Sequence, residues 1–369
     1  MDVNFYNPVK ILSGAGCLRE YTGFAEFGRR CMIVCGATSA RRCGALADAE
    51  AALAACGVEY TVFDRIEQNP LAETCHAAGA AAREWSAEFI LGIGGGSPLD
   101  AAKACAVFAR NPELGPEDVY RDPAKLAALP VLCVPTTAGT GSEVTPYSIM
   151  TLRSAETKKS FTGENMWPRV AFLDAAYTAS LPAYFTVSTA VDALSHAIEG
   201  YFSLKASLVS DSLAERACEL ILPVLRCMAA DEEQELTIAE REALLCGSTL
   251  AGMVISRTGT GFPHACGYKL TYFHGLSHGH ANACFLADFL AFAAEAEPER
   301  AARLCAAGGI RDAVELAEIL AAVLPEAPAI TEEEAARYAA ESAAAKNCRQ
   351  SRRPVGETEL LPIFRRLCR

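Results

Sequence analysis

Short, nearly continuous apolar runs alternate with longer Ala-rich stretches through the first half of the chain. Residues 31–35, 58–63, 89–93 and 129–134 are five or six residues long, rich in Val, Ile, Leu, Cys and Phe, and read as strands. Between them, residues 44–55, 72–85 and 98–108 carry apolar positions at helical spacing. Strands that are apolar on both faces and separated by helices predict a parallel sheet covered on both sides. Beyond about Pro182 the pattern changes. Residues 187–202, 207–229, 238–256, 280–295, 313–324, 332–346 and 357–367 all repeat at helical spacing, with Gly and Pro between them. The expectation is a Rossmann-like α/β domain over residues 1–182 and an all-α domain over residues 183–369.

Composition narrows the function classes. A chain of 369 residues with 51% hydrophobic and 21% charged residues is globular in character and long enough for two cores. Its 45 acidic and 33 basic residues give a net charge of −12, which opposes phosphate backbones and anionic membranes, so no nucleic-acid or membrane partner is expected. The apolar runs fall short of the roughly 18 residues of a membrane span. Residues 1–5 lack the basic and apolar segments of a signal peptide, so a cytoplasmic location is expected. The 16 scattered cysteines fit reduced thiols that fill core space there.

Two loops carry phosphate-binding chemistry. Residues 92–100, Gly-Ile-Gly-Gly-Gly-Ser-Pro-Leu-Asp, follow a strand and open a helix, where bare backbone N–H groups and the helix dipole can hold a pyrophosphate. Ser97 stands where the strict dinucleotide fingerprint has its third Gly. Residues 135–145 follow the next strand and are rich in hydroxyls and glycines, which suits a ribose or an amide. Two such loops at the carboxyl ends of parallel strands are what a dinucleotide crevice needs.

A separate constellation points to a metal. Asp192 and His196 lie four apart on a helix and so share one face. The chain has six His, and His264, His274, His278 and His280 fall within 17 residues. His264 and His278 can close the site with Asp192 and His196, a donor set that suits Fe(II) or Zn(II) with a position left for a substrate oxygen. His76 reads as a structural helix residue and His280 as solvated or supporting. Tyr147, Phe161, Tyr201, Tyr272 and Phe273 could line a pocket, although core packing is the more ordinary role of such residues.

Four segments, residues 94–103, 135–145, 192–199 and 278–283, resemble the iron-containing (group III) alcohol dehydrogenase family, within the dehydroquinate synthase-like superfamily. The resemblance runs nearly the length of the chain. It implies a metal-dependent, NAD(P)-linked alcohol dehydrogenase or aldehyde reductase that moves hydride between nicotinamide and a small alcohol or aldehyde, with Asp192, His196, His264 and His278 as ligands of Fe(II) or Zn(II). It places Gly94, Gly95, Gly96, Ser97 and Asp100 on the pyrophosphate, Thr136, Thr137 and Ser142 along adenosine and ribose, and Thr178 and Leu181 along the nicotinamide. A homodimer or larger homo-oligomer is expected.

Two departures from the family pattern carry expectations. Where NAD-selective members have an Asp after the first strand, this chain has Gly36, followed by Thr38, Ser39, Arg41 and Arg42; these suit the 2′-phosphate of NADP. Four residues after His264, where many members have a second His, stands Tyr268. Phenol is a poor base near neutral pH, so His274 is expected to relay the proton and Tyr268 to orient the substrate. The alternatives are a sugar-phosphate cyclase or polyol-phosphate dehydrogenase of the same superfamily, or a non-catalytic nucleotide-binding subunit. The cyclase would need a basic cluster beside the ligands, and the sequence there has none.

Overall fold

The structure, a computed structural model, describes residues 3–154, 157–231 and 235–368; Met1, Asp2 and Arg369, at the ends of the two expected domains, lie outside the described residues. It divides into two compact units. One comprises Asn7–Thr137 and Gly141–Leu181; the other comprises Pro182–Arg369 with Ala138–Thr140 and the N-terminal segment up to Tyr6.

The first unit holds β1 (Lys10–Ser13), β2 (Arg30–Cys35), α1 (Ser39–Arg42), α2 (Ala45–Ala55), β3 (Glu59–Phe63), α3 (Ala72–Glu84), β4 (Phe89–Gly94), α4 (Gly96–Arg110), β5 (Val131–Pro135), β6 (Tyr147–Leu152), β7 (Thr157–Thr162) and β8 (Val170–Leu173). Six strands form one parallel sheet in the order β1-β8-β5-β4-β2-β3. Side chains alternate across it. Met32, Val34, Ile90 and Cys133 meet α3 and α4 on one face. Cys31, Ile33, Cys35, Leu91, Ile93 and Leu132 meet Leu46, Ala49 and Leu53 of α2 on the other. Burial on both faces explains the unbroken apolar runs.

The four strands expected from the pattern correspond to β2–β5. β1 and β8 are four-residue strands that pattern alone did not mark, and they extend the sheet on its far side. β6 and β7 form a separate antiparallel hairpin. From β2 the chain crosses to β3 on one side, whereas β4 leads to β5 on the other, so the strand order reverses between β2 and β4. Open parallel sheets bind ligands beyond the carboxyl ends of the strands at such a switch point.

The second unit is helical: α5 (Ala183–Tyr201), α6 (Leu208–Ala230), α7 (Ile238–Thr258), α8 (Phe262–His274), α9 (His278–Ala296), α10 (Pro298–Gly308), α11 (Ala313–Val323), α12 (Glu332–Ala343) and α13 (Glu357–Arg365). Side-chain caps from Ser207, Thr237, Asp312 and Thr331 start α6, α7, α11 and α12. α8 and α10 were not expected. In α8, Gly261, Pro263 and Gly267 mask the helical period, yet Pro263 sits in the first turn, where it costs no hydrogen bond.

Close packing of α8 and α9 depends on glycine. A Cβ at Gly267 would come within 2.2 Å of Asn282 Oδ1 on α9. A Cβ at Gly279 would come within 1.7 Å of the Ser188 carbonyl oxygen on α5. No helix among the described residues is long and apolar enough to cross a membrane.

Candidate active site

The Gly94–Ser97 turn and the Thr136–Thr137 pair lie side by side in the first unit. Cys35 pairs with Ile93 and Gly94 with Pro135, so Gly36, the turn at Gly94–Ser97 and the Thr136–Thr137 pair all leave the same end of the sheet. Gly94 has φ +150°, and a Cβ there would meet Pro98 at 2.6 Å, so the turn into α4 needs glycine. A Cβ at Gly95 would be 3.2 Å from Thr137, which puts the two loops in contact. Gly96 and Ser97 open the 15-residue α4 with no side-chain cap, leaving its first N–H groups for an anion. The Asn69 N–H donates to Ser97 Oγ at 3.0 Å and holds that hydroxyl at the loop. Asn69 itself, at φ 57°, occupies the left-handed region.

Asp100 is bonded through both carboxylate oxygens to groups of the protein itself. Its Oδ1 accepts from Ser142 Oγ at 2.5 Å and from Lys103 Nζ at 3.4 Å, and its Oδ2 accepts from the Ile149 N–H at 3.0 Å. Burial pushes the Asp100 carboxyl up, against the lowering pull of Lys103 and Ser142. Lys103, fully buried, also donates to Ser142 Oγ and the Tyr147 carbonyl, each at 2.7 Å. Asp100, Lys103 and Ser142 therefore brace the two loops from beneath. Sequence reasoning placed no role on Lys103; a lysine inside an otherwise apolar helical run was the available signal.

Thr38 is exposed and Ser39 half-buried just past β2. Arg41 donates to Asp64 at 2.9 Å, a carboxylate from the end of β3 that strand-by-strand reading overlooked. Arg42 donates to the Ser180 carbonyl at 3.0 Å. Thr178 is buried, with its hydroxyl on the Ala175 carbonyl at 2.8 Å, and Leu181 is half-buried beyond it.

In the helical unit, α5, α8 and α9 converge on a cluster of imidazoles around one carboxylate. The Nε2 atoms of His264, His278 and His196 lie 3.6, 3.8 and 3.9 Å from Asp192 Oδ1. Ligand atoms of Asp192, His196 and His264 all fall within 4.8 Å of one another, and all three residues are buried. The His196 and His264 rings stack at 4.8 Å, and those of His264 and His278 meet edge-on at 5.2 Å. A tetrahedral ion with bonds of about 2.1 Å holds its ligands about 3.4 Å apart, so the distances from Asp192 to the three imidazoles are within about half an ångström of that spacing.

Electrostatics agree. Burial raises the Asp192 carboxyl, but the facing imidazoles of His196, His278 and His264 outweigh it and hold the group well below the usual carboxylate range. Burial lowers His196. It would lower His264 too, yet Glu199 and Asp192 push that imidazole up to about 10. Asn282, fully buried on α9, donates to Asp192 Oδ1 at 2.9 Å, with His264 Nε2 at 3.2 Å. Neither Asn282 nor Glu199 was singled out from the sequence.

Tyr268 is at this cluster: its ring stacks on that of His278 with centroids 5.3 Å apart. His274 is not. It lies ten residues past His264 on α8, about 15 Å along the helix axis. Its Nε2 lies 3.3 Å from the Tyr338 hydroxyl and 3.5 Å from Glu334. His274, expected as the relay, therefore stands at the far end of a helix that leads away from the cluster. His76 contacts the Leu114 carbonyl at 3.1 Å and His280 the Tyr184 hydroxyl at 3.2 Å, both packing roles. Phe161 and Tyr201 are core residues, Tyr147 is half-buried, and Tyr272 and Phe273 are exposed.

Residues 8–175 match the family described as iron-containing alcohol dehydrogenase, and residues 186–351 match the C-terminal part of the Fe-containing alcohol dehydrogenase family. Over 307 residues the chain is 32% identical to the NADPH-dependent butanol dehydrogenase of Clostridium saccharobutylicum, covering 82% of this chain and 77% of that one. An iron-containing alcohol dehydrogenase from Thermotoga maritima superposes with a TM-score of 0.89 at 35% identity, covering 99% of each chain. The NAD+ complex of sulfoacetaldehyde reductase from Bifidobacterium kashiwanohense gives 0.89 at 28% identity, over 100% of this chain and 99% of that one. The chain belongs to the iron-containing alcohol dehydrogenase family. It is an oxidoreductase of the NAD(P)-linked alcohol dehydrogenase and aldehyde reductase class.

Proposed function

We propose that the chain is an NADP(H)-preferring, Fe(II)- or Zn(II)-dependent reductase of small aldehydes that also runs as an alcohol dehydrogenase. The observation that carries this reading is the buried group of Asp192, His196 and His264, whose donor atoms are close enough to share a divalent ion, with the partly exposed His278 placing its Nε2 3.8 Å from Asp192. With the ion and nicotinamide bound, the site supplies Lewis acidity toward a substrate oxygen and a hydride donor or acceptor. The chain's own residues do the rest. Asp192 and the three imidazoles hold the ion. Gly94, Gly95, Gly96 and Ser97 cradle the pyrophosphate. Thr136 and Thr137 meet the ribose side, with Thr178 and Leu181 along the nicotinamide. Tyr268, stacked on His278, orients the substrate and exchanges the hydroxyl proton in place of His274.

The NADP preference rests on Gly36, Thr38, Ser39 and Arg41. A glycine at position 36 offers no carboxylate to a ribose 2′-OH, and a Cβ there would already be 3.2 Å from the Ile66 carbonyl oxygen. The Arg41 guanidinium stands close by, paired with Asp64. The test is kcat/KM for NADPH and NADH with one short aliphatic aldehyde. A ratio favouring NADPH is expected; one favouring NADH by about tenfold, or 1.4 kcal/mol, overturns the preference.

We place the enzyme in the cytoplasm, a compartment suited to its 16 scattered cysteines. We also propose a homodimer or larger assembly. Its support is the sheet edge at β1, which among the described residues pairs only with β8 and can template a second chain on its other side. Light scattering against the 39.2 kDa chain mass tests it.

A further inference from the structure

Glu199 is the most enclosed charged side chain among the described residues of the helical unit, with none of its side-chain surface exposed to solvent. It lies seven residues after Asp192 and three after His196 on α5, the same face that carries both. Three donors converge on it. Ser195 donates its hydroxyl to Oε1, His264 Nδ1 lies 2.7 Å from the same oxygen, and the Gly261 N–H donates to Oε2 at 2.5 Å.

Each contact has a consequence for His264. An imidazole that donates from Nδ1 carries its lone pair on Nε2, and Nε2 is the atom that faces Asp192 Oδ1 at 3.6 Å. The Gly261 bond fixes the entry to α8, three residues before His264, so ring and backbone are held by one carboxylate. Ser195, four residues before Glu199 on α5, fixes that carboxylate in turn. The charges also sum simply: Asp192 and Glu199 flank His264 with two carboxylates, and a divalent ion brings the cluster to neutrality.

We propose that Glu199 is a positioning residue of the metal centre: through His264 Nδ1 it sets the Nε2-facing tautomer and supplies the second negative charge that retains a divalent ion. The proposal rests on the reading of Asp192, His196, His264 and His278 as ligands. Partners of this kind usually contribute about 10- to 100-fold to metal affinity.

Glu199→Gln keeps shape and volume but removes the charge. Competition between full-length protein and a chromophoric chelator for Zn(II) should show affinity about 10- to 100-fold weaker than wild type. The visible bands of the Co(II)-loaded variant should shift, because an imidazole bonded to a carboxamide is a weaker donor. NADPH affinity, read by fluorescence, should stay unchanged. Ser195→Ala, which loosens the carboxylate without removing it, should weaken Zn(II) by a smaller factor and serves if Glu199→Gln does not fold. His264→Ala separates the two layers of argument. If it loses the metal while Glu199→Gln and Ser195→Ala hold Zn(II) like wild type with unshifted Co(II) bands, the role of Glu199 is refuted. If His264→Ala binds Zn(II) like wild type, the ligand assignment itself is refuted.

Discussion

Replacing Gly279 with Ala tests how the metal cluster is assembled. An added Cβ would stand 1.7 Å from the Ser188 carbonyl oxygen and 3.1 Å from the Asp192 Cβ, whereas real contacts of this kind do not fall under 3.0 Å. Neither neighbour is a flexible side-chain end, so α9 must retreat from α5 by about 1.3 Å. His278 is the adjacent residue and moves with it. Metal–ligand distances tolerate only about ±0.2 Å, so a shift of that size removes His278 from the donor set. Overpacking alone costs about 1–3 kcal/mol. The expected variant folds, melts several degrees lower, binds NADPH normally and retains a minor fraction of the wild-type metal after anaerobic purification. Elemental analysis, thermal melting and NADPH fluorescence read the three quantities. Gly275→Ala is the control: its φ of +70° makes Ala cost about 1–2 kcal/mol of backbone strain, but the space around it is open. It should destabilise and leave metal content intact. Full metal occupancy and an unshifted melting curve in Gly279→Ala would refute the packing argument.

Three further outcomes follow from the same geometry. His274→Ala should leave kcat near wild type, whereas Tyr268→Phe should lower it by about 10²-fold at unchanged metal content; steady-state kinetics with elemental analysis decides between them. In the metal-free protein His264 is pushed up to about 10, so a bound metal must expel that proton, and affinity should rise by up to about tenfold per pH unit between roughly 6.5 and 10. The sign for folding is the reverse: the raised group stabilises the metal-free fold fully below about 6.5, and this is lost as pH climbs toward 10. Calorimetry in buffers of different ionisation enthalpy would show the released proton, and a pH-independent affinity would contradict it. Lys103→Met strands the buried Asp100 carboxylate and should cost about 3–5 kcal/mol, visible by denaturant melts, with weakened NADPH binding.

Legibility in the sequence followed the range of the interactions. β2–β5 and the helix after the first glycine loop were readable because burial on both faces and glycine turns are local signals. Asp192 and His196 could be paired because helix periodicity alone places them together. α8 was not readable, since Gly267 is needed for contact with Asn282 and not for a turn. With α8 missed, His274 looked like a neighbour of the metal instead of a residue three turns away. Asp64, Asn282 and Glu199 owe their roles to side chains on other elements, and no spacing within one segment announces that. Asp100 was placed on the cofactor because its motif sits there; only the positions of Ser142, Lys103 and Ile149 show that both its oxygens are committed.

The central claim is that one divalent ion, held by Asp192, His196, His264 and His278, makes this chain an NADP(H)-linked reductase. The most direct measurement is titration of the metal-free protein with Fe(II) under argon while NADPH oxidation by a short aliphatic aldehyde is followed at each addition. The account predicts turnover that rises linearly and saturates at one ion per chain, and a His196→Ala variant that binds NADPH but neither retains the ion nor turns over. Turnover independent of added metal, or full activity and occupancy in His196→Ala, would contradict it.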